Sequence, residues 1–218
     1  MNVFETLQKI EKIKSFQKKE VDDKLIGIML YHAAQTISAG NMQEWVFIVV
    51  KDEKKKKMLY EATLNQKWIL EAPVNIVVCA DLRRISDRFG VRGERLYAVE
   101  DTSFAALSIA LAAVGLGLGS YVVQTLDEEA VKIALRLPDH IRPILIVSIG
   151  YPAEEVKKQR FNFENLTWVD EYGKKYEISY HLQPGVTPSP ATLEELLKKS
   201  KTSKKIIEKL LSFFGIKK

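Results

Sequence analysis

Two basic side chains in the second half of the chain have the spacing of an anion-binding pair. Lys158 and Arg160 follow Gly150, Tyr151 and Pro152, which end a run of β-branched residues. Residues two apart in an extended chain point to the same side, and a guanidinium can donate two parallel hydrogen bonds to phosphate oxygens. We therefore expect Lys158 and Arg160 to bind a phosphate group, and the competing interpretation is a solvated run of charge.

A second candidate is a small polar turn at residues 38–41, Ser-Ala-Gly-Asn, which leads into a buried strand. Ser38 and Asn41 have side chains that either cap a turn locally or donate and accept hydrogen bonds toward a ligand. A third candidate is the segment 120–127, which follows an apolar helix and three alternating glycines at 115, 117 and 119. These glycines come after a helix rather than before one, so a dinucleotide-binding loop is rejected.

The composition excludes several other classes. Three histidines without ligand spacing give no metal site, and the single cysteine, Cys79, lies in an apolar run and is expected to be a buried small hydrophobe. Neither a signal peptide nor an apolar run near the ~20 residues of a membrane span is evident. We expect a cytoplasmic protein.

The net charge of +5 is concentrated at the C-terminus, where residues 198–218 hold eight lysines and one acid. This distribution argues against a nucleic-acid-binding face on the fold itself. We expect one domain over residues 1–183, followed by a linker and a basic amphipathic helical extension over 184–218. That extension is expected to pack on the dimer, and the alternative is contact with an anionic membrane or a partner protein.

Hydrophobic periodicity predicts an alternation of helices and strands that places these candidates. Polar residues with four arginines over 81–93 predict a loop or lid. Aromatic residues over 161–180 are expected to pack on a partner subunit. The predicted helices are 1–12, 21–34, 53 to about 70, 101–114 and 127–135, and the predicted strands are 45–50, 74–80, 120–123 and 143–149.

The order and spacing of these motifs along the chain resemble those of the nitroreductase family. Residues 33–50 are similar to the pattern Ala-Pro-Ser-x-x-Asn-x-Gln-Pro-Trp-x-Phe-Ile-Val, with Ile37 and Glu44 in place of the two prolines. Residues 96–137 resemble the family's dimer helix, Gly-Leu-Gly turn and following strand. The Gly-Tyr-Pro end of the last core strand and the Lys-x-Arg after it complete a resemblance over roughly residues 7–168.

This resemblance implies an α+β fold: a mixed sheet of four core strands flanked by helices, with a C-terminal strand exchanged between the subunits of a homodimer. It implies two FMN molecules at the subunit interface and NADH or NADPH as the donor. Hydride would pass through the flavin to nitroaromatic, quinone or flavin-type acceptors by ping-pong turnover. No side chain is required as a catalytic residue, since the flavin carries the chemistry.

The resemblance also assigns residues to the cofactor. Lys14 matches a cation at the flavin pyrimidine edge, where it would stabilise the negative charge that develops on reduction. Asn65 or Gln66 matches an amide that hydrogen-bonds the ring, and the backbone of Gln124 or Thr125 matches donors to flavin N5 or O4. The full predicted set is Lys12, Lys14, Ser38, Asn41, Asn65, Gln66, Gln124, Thr125, Lys158 and Arg160.

The chain departs from the family at the phosphate site. Ile10, Glu11 and Lys12 stand where the family has a basic pair and a serine, so Lys158 and Arg160 would hold more of the phosphate. An alternative register places Lys12, Lys14 and Ser15 there instead.

Other functions remain open from the residues alone. A flavin-dependent dehalogenase or flavin-fragmenting enzyme would use the 81–93 segment as a lid. The alternative that is not an enzyme is a dimeric protein, with or without bound flavin, that catalyses no reaction.

Overall fold

The computed structural model describes residues 2–10, 13–124, 126–156, 161 and 163–175. The chain divides into two compact units, residues 1–158 and 159–218. In the second unit, the described residues form a 3-10 helix, Phe163–Leu166, and an antiparallel bridge between Trp168 and Lys175. The domain boundary expected at 183/184 and the C-terminal extension lie outside the described residues.

The first unit is built around a four-stranded sheet. Its strands lie in the order β2-β3-β5-β4, and every pairing among them is antiparallel. The strand order confirms the expected four core strands, whereas the exchanged strand of the expected mixed sheet lies outside the described residues. The bounds are β2 Trp45–Val50, β3 Val74–Asp81, β4 Gly119–Val123 and β5 Ile141–Gly150.

Helices cover both faces of this sheet. Because successive side chains of a strand point to opposite faces, Ile76 and Val78 of β3 join one core cluster, and Val77 and Cys79 join the other. Burial raises the pKa of the Cys79 thiol to about 12, which keeps it neutral, as expected of a buried small hydrophobe. Helices α2 Asp23–Ala33 and α6 Ala98–Gly115 pack on the first face, and α3 Glu53–Glu61 and α7 Glu128–Leu135 on the second.

Helix α6 follows α5, Leu82–Arg92, and a π-helical turn, Gly93–Tyr97. The stretch Leu82–Gly115 is long and apolar enough to cross a membrane by length and composition. Core helices share these properties, and α6 buries Ala105, Ile109 and Ala113 against α2 and the sheet. We therefore interpret α6 as a core helix.

The polar loop expected over 81–93 is wrong, because the segment is α5. Asp81 caps it by accepting hydrogen bonds from the backbone N–H groups of Arg83 and Arg84. Ile85 and Phe89, one turn apart, pack beneath it in a separate small cluster. The many arginines occupy the solvent side of an amphipathic helix, and a non-helical Gly90 interrupts it near its end.

Two short strands were not predicted. β1 Ile13–Phe16 and β6 Pro152–Glu155 form a separate antiparallel pair at the edge where β5 ends. Each has only four residues, too few to show an alternation. The N-terminal helix α1, Val3–Lys9, precedes β1.

The helix expected from 53 to about 70 is broken in two. It ends at Glu61, and Leu64 and Asn65 take left-handed backbone conformations with φ of 53° and 58°. A second short helix, α4 Trp68–Glu71, then leads into β3. This break creates the loop on which Asn65 and Gln66 lie.

Candidate functional site

Lys14 lies on β1 and faces solvent. Its Nζ is 2.8 Å from Oε2 of Glu154 on β6, which the register of the pair places beside Ser15. The hydrogen bond and charge of Glu154 raise the pKa of Lys14, and Lys14 correspondingly lowers the pKa of Glu154. The ammonium is therefore held, charged, on an open surface.

The 62–67 loop lies beside Lys14. The Nζ of Lys67 donates to the backbone oxygen of Lys14 at 3.2 Å. Within the described residues, no hydrogen bond engages the side-chain amides of Asn65 or Gln66. The contact between Lys67 and Lys14 thus brings the loop to β1, and Gln66 and Asn65 lie one and two residues before Lys67 in the chain with no hydrogen bond to their side chains among the described residues.

An aromatic cluster supports this region. The ring of Trp68 stacks on Tyr121 of β4, with ring centroids 4.2 Å apart and an angle of 18° between planes. The ring of Phe16 of β1 packs edge-on against the same indole, with ring centroids 6.4 Å apart. These contacts fix α4, β1 and β4 relative to one another, so the positions of Lys14 and the loop are set by packed rings.

Ser38 and Asn41 lie elsewhere, in a turn that ends where β2 begins. Ser38 Oγ accepts a hydrogen bond from the backbone N–H of Gln43 at 3.0 Å, and Asn41 Oδ1 accepts one from the Gln43 side chain at 3.0 Å. Asn41 and Gln43 have φ values of 59° and 51°. Both predicted residues therefore act as local caps of the turn, and any contact with a cofactor stays a prediction.

The two groups of residues sit at opposite ends of the sheet. The 38–43 turn is next to Trp45, whose strand partner Ala80 is at the end of β3. Lys14 is next to the end of β5, where Gly150 pairs with the first residue of β4, Gly119. One copy of the chain does not bring both groups to the same point.

The remaining predicted residues are only partly described. Gln124 is exposed just after β4, and the Asp127 N–H, three residues later, donates to the Ala62 backbone oxygen at 2.7 Å. Lys12, Thr125, Lys158 and Arg160 lie outside the described residues. Ile10, at the departure from the family's basic motif, packs against the core cluster that includes α2 and α6.

Sequence reasoning missed the arginines that hold the 38–43 turn. Arg84 Nη1 donates to the backbone oxygen of Gln43 at 2.6 Å, and Arg88 Nη1 donates to that of Gly40 at 2.9 Å. Arg84 and Arg88 are four residues apart, so a helical assignment of α5 would have placed both on one face. The turn is therefore anchored to α5 by two charged donors.

Glu44, which stands where the family has a proline, was also missed as a site residue. Its side chain is fully buried, and neither carboxyl oxygen has a hydrogen-bond partner among the described residues. Burial is the main cause that raises its pKa to about 7; Asp101 adds to this rise, while the Glu44 backbone N–H and Arg84 oppose it. A lone acid directly before an apolar strand is the signal that identifies it.

Comparison with known proteins agrees with the fold and with the motifs. The nitroreductase family model matches residues 58–151. A Methanothermobacter thermautotrophicus protein provisionally named an NADH dehydrogenase/NAD(P)H nitroreductase is 32% identical over 71% of this chain and 79% of its own length. The FMN reductase [NAD(P)H] of Bacillus subtilis is 26% identical over 83% of this chain and 78% of its own.

Solved structures lead to the same result. The NfrA1 nitroreductase of Bacillus subtilis superposes with a TM-score of 0.70 at 25% identity, over 78% of this chain and 75% of that one. Bacillus megaterium NfrA2 superposes with a TM-score of 0.72 at 27% identity, over 79% and 76%. The chain belongs to the nitroreductase family, which confirms the resemblance seen in its sequence motifs.

Proposed function

We propose that this chain is an FMN-dependent oxidoreductase that takes hydride from NADH or NADPH and passes it to nitroaromatic, quinone or flavin-type acceptors. Family membership supports the class of reaction, and relatives named NAD(P)H nitroreductase and FMN reductase support the donor and the flavin. The observation that carries the proposal for this chain is the contact of the loop that holds Asn65 and Gln66 with Lys14, through Lys67, beside an aromatic cluster.

The donor set at this place fits the pyrimidine edge of a flavin. That edge presents carbonyl oxygens and ring nitrogens, which need N–H donors and a nearby positive charge. Lys14 supplies the charge, and the exposed Asn65 and half-buried Gln66 supply amides whose hydrogen bonds are not used within the described residues. Lys12, Lys158 and Arg160 are proposed for the phosphate.

When bound, FMN supplies a ring that accepts and returns hydride. Lys14 stabilises the negative charge that accompanies reduction, because a fixed cation at that edge requires no reorganisation during the reaction. Asn65 and Gln66 would orient the ring by hydrogen bonds, and the backbone near Gln124 and Thr125 would donate hydrogen bonds to it. The donor and the acceptor would bind in turn, and we expect ping-pong kinetics with parallel double-reciprocal lines.

A homodimer completes the proposed site. Since Lys14 and the 38–43 turn lie at opposite ends of one sheet, a flavin that contacts both needs them from two copies. Helices α1 and α2 both pack on α6, and the three helices leave large apolar side chains exposed. We propose that a second copy covers this surface, which consists of Val3, Phe4, Leu7, Ile28, Tyr31, Phe104 and Leu107.

The direct test is a visible spectrum of the purified protein, followed by anaerobic titration with NADH and with NADPH. We expect a flavin spectrum that one or both donors bleach and that an acceptor restores. Lys14→Gln should weaken flavin binding, whereas Lys24→Gln, an exposed lysine on α2 and a matched control, should not. A colourless protein that stays colourless after incubation with FMN would refute the proposal.

The same experiment separates the alternatives. A yellow protein that no nicotinamide reduces would support a flavin-binding dimer without turnover. In the dehalogenase and flavin-fragmenting alternatives, the segment proposed as a lid would be the helix α5 rather than a loop. The cytoplasmic location and the absence of nucleic-acid binding stay part of the proposal.

A further inference from the structure

Glu44 is a fully buried acid whose side-chain oxygens have no hydrogen-bond donor from another described residue. Its backbone oxygen accepts a hydrogen bond from the Asp81 N–H at 2.7 Å, but neither side-chain oxygen receives one from the described residues. A carboxylate buried in this way without a partner is strongly destabilising. Its persistence therefore requires either a proton on the group or a ligand not yet identified.

The acid that acts on Glu44 is Asp101, whose hydrogen bond and negative charge both raise the pKa of Glu44. Asp101 belongs to α6 and is itself buried. Two acids in hydrogen-bond contact cannot both be ionised without a large repulsion, and a single proton between them converts the repulsion into a hydrogen bond. The pairing thus gives one Glu44 oxygen a hydrogen-bond partner and removes the need to bury a second negative charge.

The other charged groups nearby do not replace that proton. Arg84 of α5 acts on Glu44 from a distance, while its guanidinium donates to the Gln43 backbone oxygen. Asp81 of β3 accepts hydrogen bonds from the start of α5. On β5, Arg142 is held by both oxygens of Glu128.

Asp101 also holds the 38–43 turn. Its Oδ2 accepts the backbone N–H of Ala39 at 2.8 Å. Glu44 comes directly after the turn, so Asp101 contacts both ends of the same short segment. A change in the charge of this pair therefore acts on the turn that carries Ser38 and Asn41.

We propose that Glu44 and Asp101 share one proton, and that this hydrogen-bonded acid pair is the positioning element that holds the 38–43 turn against α6. Loss of the proton places two negative charges side by side in the protein interior, and opening of the turn relieves their repulsion by admitting water. The consequence for flavin binding rests on the proposed function, whereas the shared proton and the position of the turn do not.

Hydrogen exchange of the Ala39 amide tests the proposal on the full-length protein as purified. Glu44→Gln keeps the shape, donates to Asp101 without needing the shared proton and does not ionise. At about pH 5 the wild type and this variant should exchange alike. At about pH 8.5 the wild type should exchange faster, by up to on the order of 100-fold, because its pair has lost the proton.

Two further variants keep the test decisive. Asp101→Asn should also protect Ala39 at high pH, since its amide accepts from Ala39 and donates to ionised Glu44. This variant serves if Glu44→Gln does not fold. Glu61→Gln removes an exposed carboxyl on α3 and should behave as the wild type.

Equal exchange of the wild type and Glu44→Gln at about pH 8.5 would overturn the proposal. Protection restored to the wild type by added K⁺ or Mg²⁺ would also overturn it, because a cation would then bridge the two carboxylates. Flavin affinity that falls with pH in the wild type alone would extend the result to the cofactor. A protein that never binds FMN but shows the predicted exchange would refute the proposed function and leave this inference intact.

Discussion

Gly40→Ala tests whether the 38–43 turn is held against α5 as the structure shows. Gly40 has a φ of 55°, and a Cβ added there would lie 2.9 Å from Cζ of Phe89 and 3.0 Å from Nη1 of Arg88. A left-handed conformation costs a non-glycine residue roughly 1–2 kcal/mol. Crowding of packed side chains typically adds about 1–3 kcal/mol.

Arg88 can move away from the added Cβ, so the contact cost should fall at the lower end of that range. Phe89 is packed edge-on against Tyr97, so the cost should not vanish. We therefore expect Gly40→Ala to lower the free energy of unfolding by about 2–3 kcal/mol. The matched control is Gly117→Ala, at a φ of 80° with no atom within 4 Å of the added Cβ. It should lose only the backbone cost.

The assay is denaturant unfolding of the wild type and both variants at one protein concentration, with the FMN affinity of each measured in parallel. An excess loss of about 1 kcal/mol in Gly40→Ala over Gly117→Ala would measure the contact with α5. Equal losses would show that the turn does not press on Phe89 and Arg88, and the account of how α5 positions it would be refuted.

Further predictions concern the acid pair, the dimer and the phosphate. The pKa of Glu44 is raised from 4.5 to about 7 in the folded chain, so its stabilising contribution is complete below about pH 4.5 and lost as pH rises through about 7. The wild type should lose up to roughly 3 kcal/mol relative to Glu44→Gln over that window, measured by denaturant unfolding at a series of pH values; parallel curves would contradict it. Leu107→Glu should shift the mass in light scattering toward the monomer, while Ile133→Glu, equally an exposed apolar residue but on α7, should not; a dimer in both variants would place the interface elsewhere. Arg160→Ala should release FMN more readily than Lys157→Ala in equilibrium dialysis, and equal retention would remove the phosphate assignment.

The sequence best predicted those elements whose own residues strongly favour one secondary structure. The run from Trp45 to Val50 is a strand with the predicted bounds, because six aromatic and β-branched residues in succession fit a strand and little else. By contrast, α5 was taken for a loop, since its arginines outnumber the two side chains, Ile85 and Phe89, that bury its inner face. The charged composition outweighed the helical spacing of the two apolar residues, which are four positions apart.

Part of the candidate site depends on contacts between distant residues, and composition does not encode these. Lys14 was found through a motif, but its partner Glu154 belongs to a four-residue strand that pairs across most of the chain. Glu44 was noted as a departure from the family pattern, yet its meaning depends on Asp101, which only the fold brings beside it. Such pairs are set by topology rather than by spacing.

In the proposed dimer, one flavin is bound by Lys14 of one copy and by the 38–43 turn of another. Lys14→Gln and Asn41→Asp should each weaken FMN binding, the latter by adding charge while keeping the oxygen that caps Gln43. Unfolding and refolding the two variants together should form mixed dimers in which one site carries neither change. About one quarter of all sites should then regain wild-type affinity in an FMN titration, as random pairing in a symmetric dimer requires. No recovery on mixing, although each variant still dimerises, would contradict a site shared between two copies.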